Sequence, residues 1–210
     1  MRYLQGLIIS ILIFGCQSKT TKLSLDSKDS QIKTTTDNFS DRLMITGDFN
    51  GDESIDTLKE SFISSIDGKE TNKYSDIEYD SLVALTIKKK PICRLISNSL
   101  TPLIVNKDKY QLFGLAFLKN EGDLDNDGSD ELGLIVDWAD WSNVNYYQIL
   151  SYKNSNWTEL FNFEIRDFDI ADLKENKDSK GLLYRDENGD LIAKTWENGE
   201  QIDKKIDMKK

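Results

Sequence analysis

The same ten-residue phrase is written twice in this chain. Gly47-Asp48-Phe49-Asn50-Gly51-Asp52-Glu53-Ser54-Ile55-Asp56 and Gly122-Asp123-Leu124-Asp125-Asn126-Asp127-Gly128-Ser129-Asp130-Glu131 each open on glycine. Both then place oxygen-bearing side chains at positions one, three, five and nine, counted from the aspartate. Asp, Asn and Gly at this density enforce a tight turn, because their side chains bond nearby backbone N–H groups and accept left-handed backbone. Apolar residues border both phrases: Leu43-Met44-Ile45 leads into the first, and Leu132-Gly133-Leu134-Ile135-Val136 leaves the second. Each loop therefore has to join two extended segments.

The remaining periodicity is also that of strands. Leu82 to Ile87, Ile92 to Ile96, Leu103 to Val105 and Tyr110 to Leu118 are short apolar or alternating runs, separated by Lys-Lys-Pro, Asn-Ser and Asn-Lys-Asp. Tyr146 to Tyr152 and Trp157 to Ile165 read as a hairpin. Leu182 to Tyr184 and Leu191 to Trp196 read as another, turning through Asp186–Asp190, where Asn188-Gly189 suits positive φ. Lys88-Lys89-Lys90-Pro91 reads as a solvated hairpin turn. Thr57 to Ile66 fits a strand or a short helix, with Leu58, Phe62 and Ile66 at spacing four. The expectation is a mainly β fold of antiparallel hairpins in one small domain, residues 39–210, with room for a short helix.

A hard cation such as calcium takes six to eight oxygens in a forgiving geometry, and a loop with inward carboxylates at alternate positions supplies several of them. An EF-hand needs a bidentate Glu at position twelve; here that position is Lys59 or Leu134. The nine-residue loop followed at once by an apolar strand resembles the FG-GAP or VCBS-type repeats of bacterial surface proteins and integrin α propellers. That resemblance implies blade-like hairpins and structural calcium. It assigns Asp123, Asp125, Asp127, the Ser129 carbonyl and Glu131 to one site, with Asp130 as a neighbour or alternative ligand. It assigns Asp48, Asn50, Asp52, the Ser54 carbonyl and Asp56 to the other. Glu53 departs from the pattern, because the family has Gly there, and a non-glycine at positive φ costs about 1 kcal/mol or more. Propeller blades take about 40–45 residues, so a domain of this size cannot close a large propeller; a small or incomplete arrangement is expected.

The N-terminus holds one cation, Arg2, an apolar run from Leu7 to Phe14 too short to span a bilayer, and a small residue at Gly15. Ile13-Phe14-Gly15-Cys16 resembles the bacterial lipobox. That implies a signal peptide over 1–15, acyl chains such as palmitate on Cys16, and export to a membrane, the outer membrane (periplasmic or surface face) in a Gram-negative cell. Residues 16–38 are polar and read as a flexible tether, reaching roughly 25 Å.

Histidine is absent, which removes Ser-His-Asp and Cys-His catalysis and His-based metal sites. Net charge is −10, and −11 once Arg2 leaves with the signal, which disfavours nucleic acid. Cys93 lies in a strand-like run and reads as a small buried hydrophobe. Trp138, Trp141, Tyr146 and Tyr147, with Asp137 and Asp140 nearby, form the candidate ligand surface, and covering one end of a β core is the alternative. No catalytic residue is assigned and no enzyme is expected. The expected function is a membrane-anchored binding or accessory module for an envelope protein or glycan. A carboxylate-based glycosidase and a purely structural envelope lipoprotein are the alternatives.

Overall fold

Alternation in the sequence becomes alternation of burial. In β2 (Asp56–Ser64), Leu58, Glu60 and Phe62 face inward while Thr57 and Lys59 face solvent. The ambiguity over Thr57–Ile66 thus resolves as strand. What hid the two-residue period is the inward carboxylate of Glu60, which is buried because it accepts the N–H groups of Leu43 at 3.1 Å and Leu115 at 2.9 Å. The computed structural model describes residues 42–71, 78–106, 111–140, 142–176 and 181–208, all within one compact unit, residues 35–210. The signal and tether segments and Cys16 lie outside the described residues.

The fold is mainly β, with three antiparallel sheets and two helices. The first sheet runs in chain order through β1 (Met44–Gly47), β2, β3 (Pro91–Ile96) and β4 (Leu103–Ile104). The second runs likewise through β5 (Leu112–Gly122), β6 (Glu131–Trp138), β7 (Val144–Lys153) and β8 (Asn156–Arg166). The third comprises β9 (Leu183–Arg185), β10 (Leu191–Glu197) and β11 (Glu200–Lys205), with β10 central. The first two have the up-and-down order that a blade would have. Among the described residues, however, the sheets stay open and no barrel closes.

The second sheet is the middle layer. Leu132, Leu134 and Val136 on one face pack with Leu58, Phe62, Cys93 and Leu95 of the first sheet. Ile135, Tyr147, Ile149 and Phe163 on the other pack with Leu183, Leu191 and Ala193 of the third sheet. Burial on both faces explains why Leu132–Val136 reads as a continuous apolar run rather than an alternating one. Gly133 is required here, because a Cβ at this position would overlap the Tyr147 ring.

Two expectations are corrected. Leu82–Ile87 is not a strand but part of α1 (Tyr79–Lys89), which buries Leu82 and Thr86 at spacing four. Lys88–Lys90 is correspondingly the end of that helix and Pro91 opens β3: Lys88 and Lys89 sit in the last turn, where cations complement the dipole. Lys90 takes the left-handed cap conformation, its N–H bonding the Thr86 carbonyl at 2.8 Å. The second helix, α2 (Asp167–Asn176), and the polar strand β11 have no counterpart in the sequence reading.

Candidate functional site

The two acidic loops occupy equivalent places, one between β1 and β2 and the other between β5 and β6, and their backbones are built alike. Asp48 accepts the N–H of Asp52 at 3.0 Å and of Glu53 at 2.7 Å; Asp123 accepts Asp127 at 3.1 Å and Gly128 at 3.0 Å. Asp52 then accepts Ser54 N–H at 2.8 Å, as Asp127 accepts Ser129 at 3.0 Å. Positive φ falls at matched positions, Gly51 (70°) with Asn126 (59°) and Glu53 (65°) with Gly128 (96°). Glu53 therefore adopts the left-handed conformation that Gly128 takes in the second loop, despite its Cβ. The turn at Asp186–Asp190 repeats part of the pattern, with Asp186 accepting Asp190 N–H at 2.9 Å, but β10 begins before a longer loop can form.

Only the second loop, among the described residues, gathers three carboxylates. Oxygens of Asp123, Asp125 and Glu131 lie within 4.8 Å of one another. Glu131 is fully buried. One of its oxygens accepts Leu124 N–H at 2.6 Å, while the other has no hydrogen-bond partner, and neither does Oδ1 of Asp125. Burial, reinforced by the charges of Asp125 and Asp127, raises the Glu131 carboxyl to about 7, although the Leu124 N–H pulls the other way. Lys153, at the end of β7, places its ammonium 2.8 Å from Asp125 and 2.7 Å from Asp127. Burial works upward on Asp127, but hydrogen bonds from Lys153 and Ser129 outweigh it and hold this carboxyl at about 2. Buried carboxylate oxygens lacking donors are what a hard cation satisfies, so this donor set fits calcium.

The first loop is spent differently. Asn50 donates to Asp52 at 3.0 Å, and Asp56 is buried, with one oxygen accepting the Ser99 hydroxyl and the other unpartnered. Its carboxylates do not converge as those of the second loop do. Asp130 ties the loops together: its carboxylate accepts Asp48 N–H at 2.9 Å and the Asn120 amide at 2.7 Å, while its own N–H bonds the Asp48 carbonyl at 2.8 Å. Gly47 permits that approach, since a Cβ there would collide with Asn120 and Asp130.

A second feature is a groove of about 1140 Å³ on the face of the second sheet that looks toward the first. Its floor and walls include Trp138 and Tyr146 from the candidate ligand surface, together with Asp140, Ser142, Gln148 and Asn162; Ile87 and Lys90 contribute from the end of α1. Tyr146 is 49% exposed. Tyr147 corrects the reading: the next residue on a strand faces the other side, and its ring is buried between Phe117 and Phe163, with its hydroxyl donating to Glu121. Trp141 lies outside the described residues. Gln148, Asn162, Ile87 and Lys90 were not anticipated, because nothing local in the sequence brings α1 to this face. Cys93 is buried in β3, in keeping with its reading as a small core residue.

A scan against family models found no match, and comparison with curated proteins and with solved structures found none.

Proposed function

We propose that this chain is an exported lipoprotein, held to the membrane through Cys16, whose calcium-stapled β domain serves as a binding or accessory module for an envelope protein or glycan. The observation that carries the reading is the pair of unpartnered, buried carboxylate oxygens, on Asp125 and Glu131, in the one loop among the described residues where three acidic side chains converge. Asp123, Asp125, Asp127 and Glu131 with the Ser129 carbonyl would hold the ion. Its contribution is charge neutralisation and rigidity between β5 and β6, the middle of the molecule. The first loop supports the reading less, because Asn50 replaces a carboxylate and Asp56 is engaged by Ser99.

Thermal melting in calcium and in chelator tests this. A ligand bound only by the native state stabilises by RT ln(1 + [L]/Kd), about 2.7 kcal/mol at a hundredfold excess over Kd. Calcium raises the melting temperature of the wild-type chain. Asp125→Ala removes most of that rise, and Asn50→Ala removes less. A melting curve indifferent to both calcium and chelator rules out the metal.

A further inference from the structure

We propose that the groove on the second sheet binds a neutral oligosaccharide; this rests on the reading of the domain as a binding module and names its ligand class. The lining mixes aromatic side chains with polar groups that are mostly uncharged, the one cation and one anion balancing each other. Tyr146, on β7, is half exposed, and Trp138 lies on the same face of the adjacent strand β6. Aromatic rings on a sheet face offer the apolar C–H faces of pyranose units a stacking partner.

Beside Tyr146 stand two amides whose geometry is already fixed. Gln148 and Asn162 are register partners across β7 and β8, and both donate to one carboxylate, Glu159, at 2.9 and 2.5 Å. Locked in this way, each amide offers a carbonyl oxygen and a second N–H at a set angle, and a carbohydrate hydroxyl, donor and acceptor at once, answers both. A preorganised polar pair loses little freedom when ligand arrives.

Charge narrows the class. The chain carries −10 overall, yet the described lining holds one cation, Lys90, and one anion, Asp140. A polyanion meets an acidic protein with a single lysine to receive it, so a neutral ligand fits best. The volume, about 1140 Å³, exceeds that of a pocket for one small molecule, roughly 300–1,000 Å³, which favours a chain of several sugar rings.

The test is isothermal titration of the purified full chain, in calcium and sugar-free buffer, with chitotetraose, cellotetraose and maltotetraose, and with dextran sulfate as the charged comparator. At least one neutral tetrasaccharide binds. Tyr146→Ala weakens it by about tenfold or more, and Asn162→Ala weakens it while leaving the melting temperature unchanged. Failure of all three sugars to bind overturns the proposal. So does a Tyr146→Ala protein that binds like wild type, or dextran sulfate outcompeting the sugars in the groove. The calcium-induced rise in melting temperature, measured on the same samples, reports separately on the module reading, so the two can fail independently.

Discussion

On the proposed reading of the second loop as a cation site, Lys153 sets how tightly the ion would be held. Its ammonium bridges Asp125 and Asp127 from the tip of the β7–β8 hairpin, so a divalent cation would compete with this side chain for the same oxygens. Lys153 is 43% exposed, and ion pairs of that kind contribute up to about 1 kcal/mol. Lys153→Met is therefore expected to tighten calcium binding by up to about fivefold, as read by titration calorimetry at fixed ionic strength. Equal or weaker affinity in the variant would mean that Lys153 is no competitor. The acidic loop was legible in the sequence because its carboxylates alternate within nine residues; Lys153 was not, because it stands 28 positions from Asp125 and only the pairing of β6 with β7 brings it near. Glu131 adds a pH signature. Its carboxyl holds a proton up to about 7 in the folded chain, against 4.5 for the ordinary group. Between those values the folded state binds more protons than the unfolded state, so stability falls as pH rises. In chelator, the urea midpoint should be lower at pH 7.5 than at pH 5, and calcium should flatten the difference. A midpoint that rises over this interval in chelator would contradict the buried, cation-seeking carboxyl. Asp52 and Asp127, whose carboxyls are shifted down, lose their contribution below this window.

Elements were readable where one face alone is buried and misread where composition and environment disagree. The hairpin of β7 and β8 follows from alternation and from a turn whose Asn154 and Ser155 both take positive φ. α1 was obscured because Leu82 to Ile87 is apolar but for Thr86, and its helical nature rests instead on Asp80 in the first turn and the lysines in the last. β11 is almost wholly polar and gains its place by pairing with β10. Asn198-Gly199, with φ of 53° and 85°, is the turn signal that could have revealed it. β2 depends on a group no periodicity argument favours. Glu60 ties the first sheet to the second by accepting Leu115 N–H in β5, and it also receives the Cys93 thiol. Replacing it with alanine leaves buried N–H groups without acceptors, at about 1–3 kcal/mol each. Glu60→Ala should shift the urea midpoint accordingly, and Glu60→Gln, which keeps an acceptor, should lose less. Equal stability of the alanine variant and wild type would show that water replaces the carboxylate.

At the scale of the molecule, the stacking of three sheets makes the second one a layer covered on both sides, with the better-formed acidic loop at one end of it and the groove on one face. No described helix is long and apolar enough to cross a bilayer, and a chain of net charge −10 is repelled by anionic headgroups. On the proposed reading, membrane association rests on acyl chains attached to Cys16, each of which would contribute about 0.8 kcal/mol per buried methylene. One chain anchors marginally and two anchor stably, so losing the thiol should convert the protein from membrane-bound to free rather than merely weaken it. Expressed in a bacterial host, the wild-type chain should enter the detergent phase on temperature-induced phase separation, and Cys16→Ser should remain in the aqueous phase. Because the loops and core lie within residues 42–208, the serine variant should keep the wild-type melting temperature and calcium response. Cys16→Ser protein that partitions into detergent like wild type would refute the lipid anchor, and a lowered melting temperature would show that the N-terminal segment packs on the domain instead of tethering it.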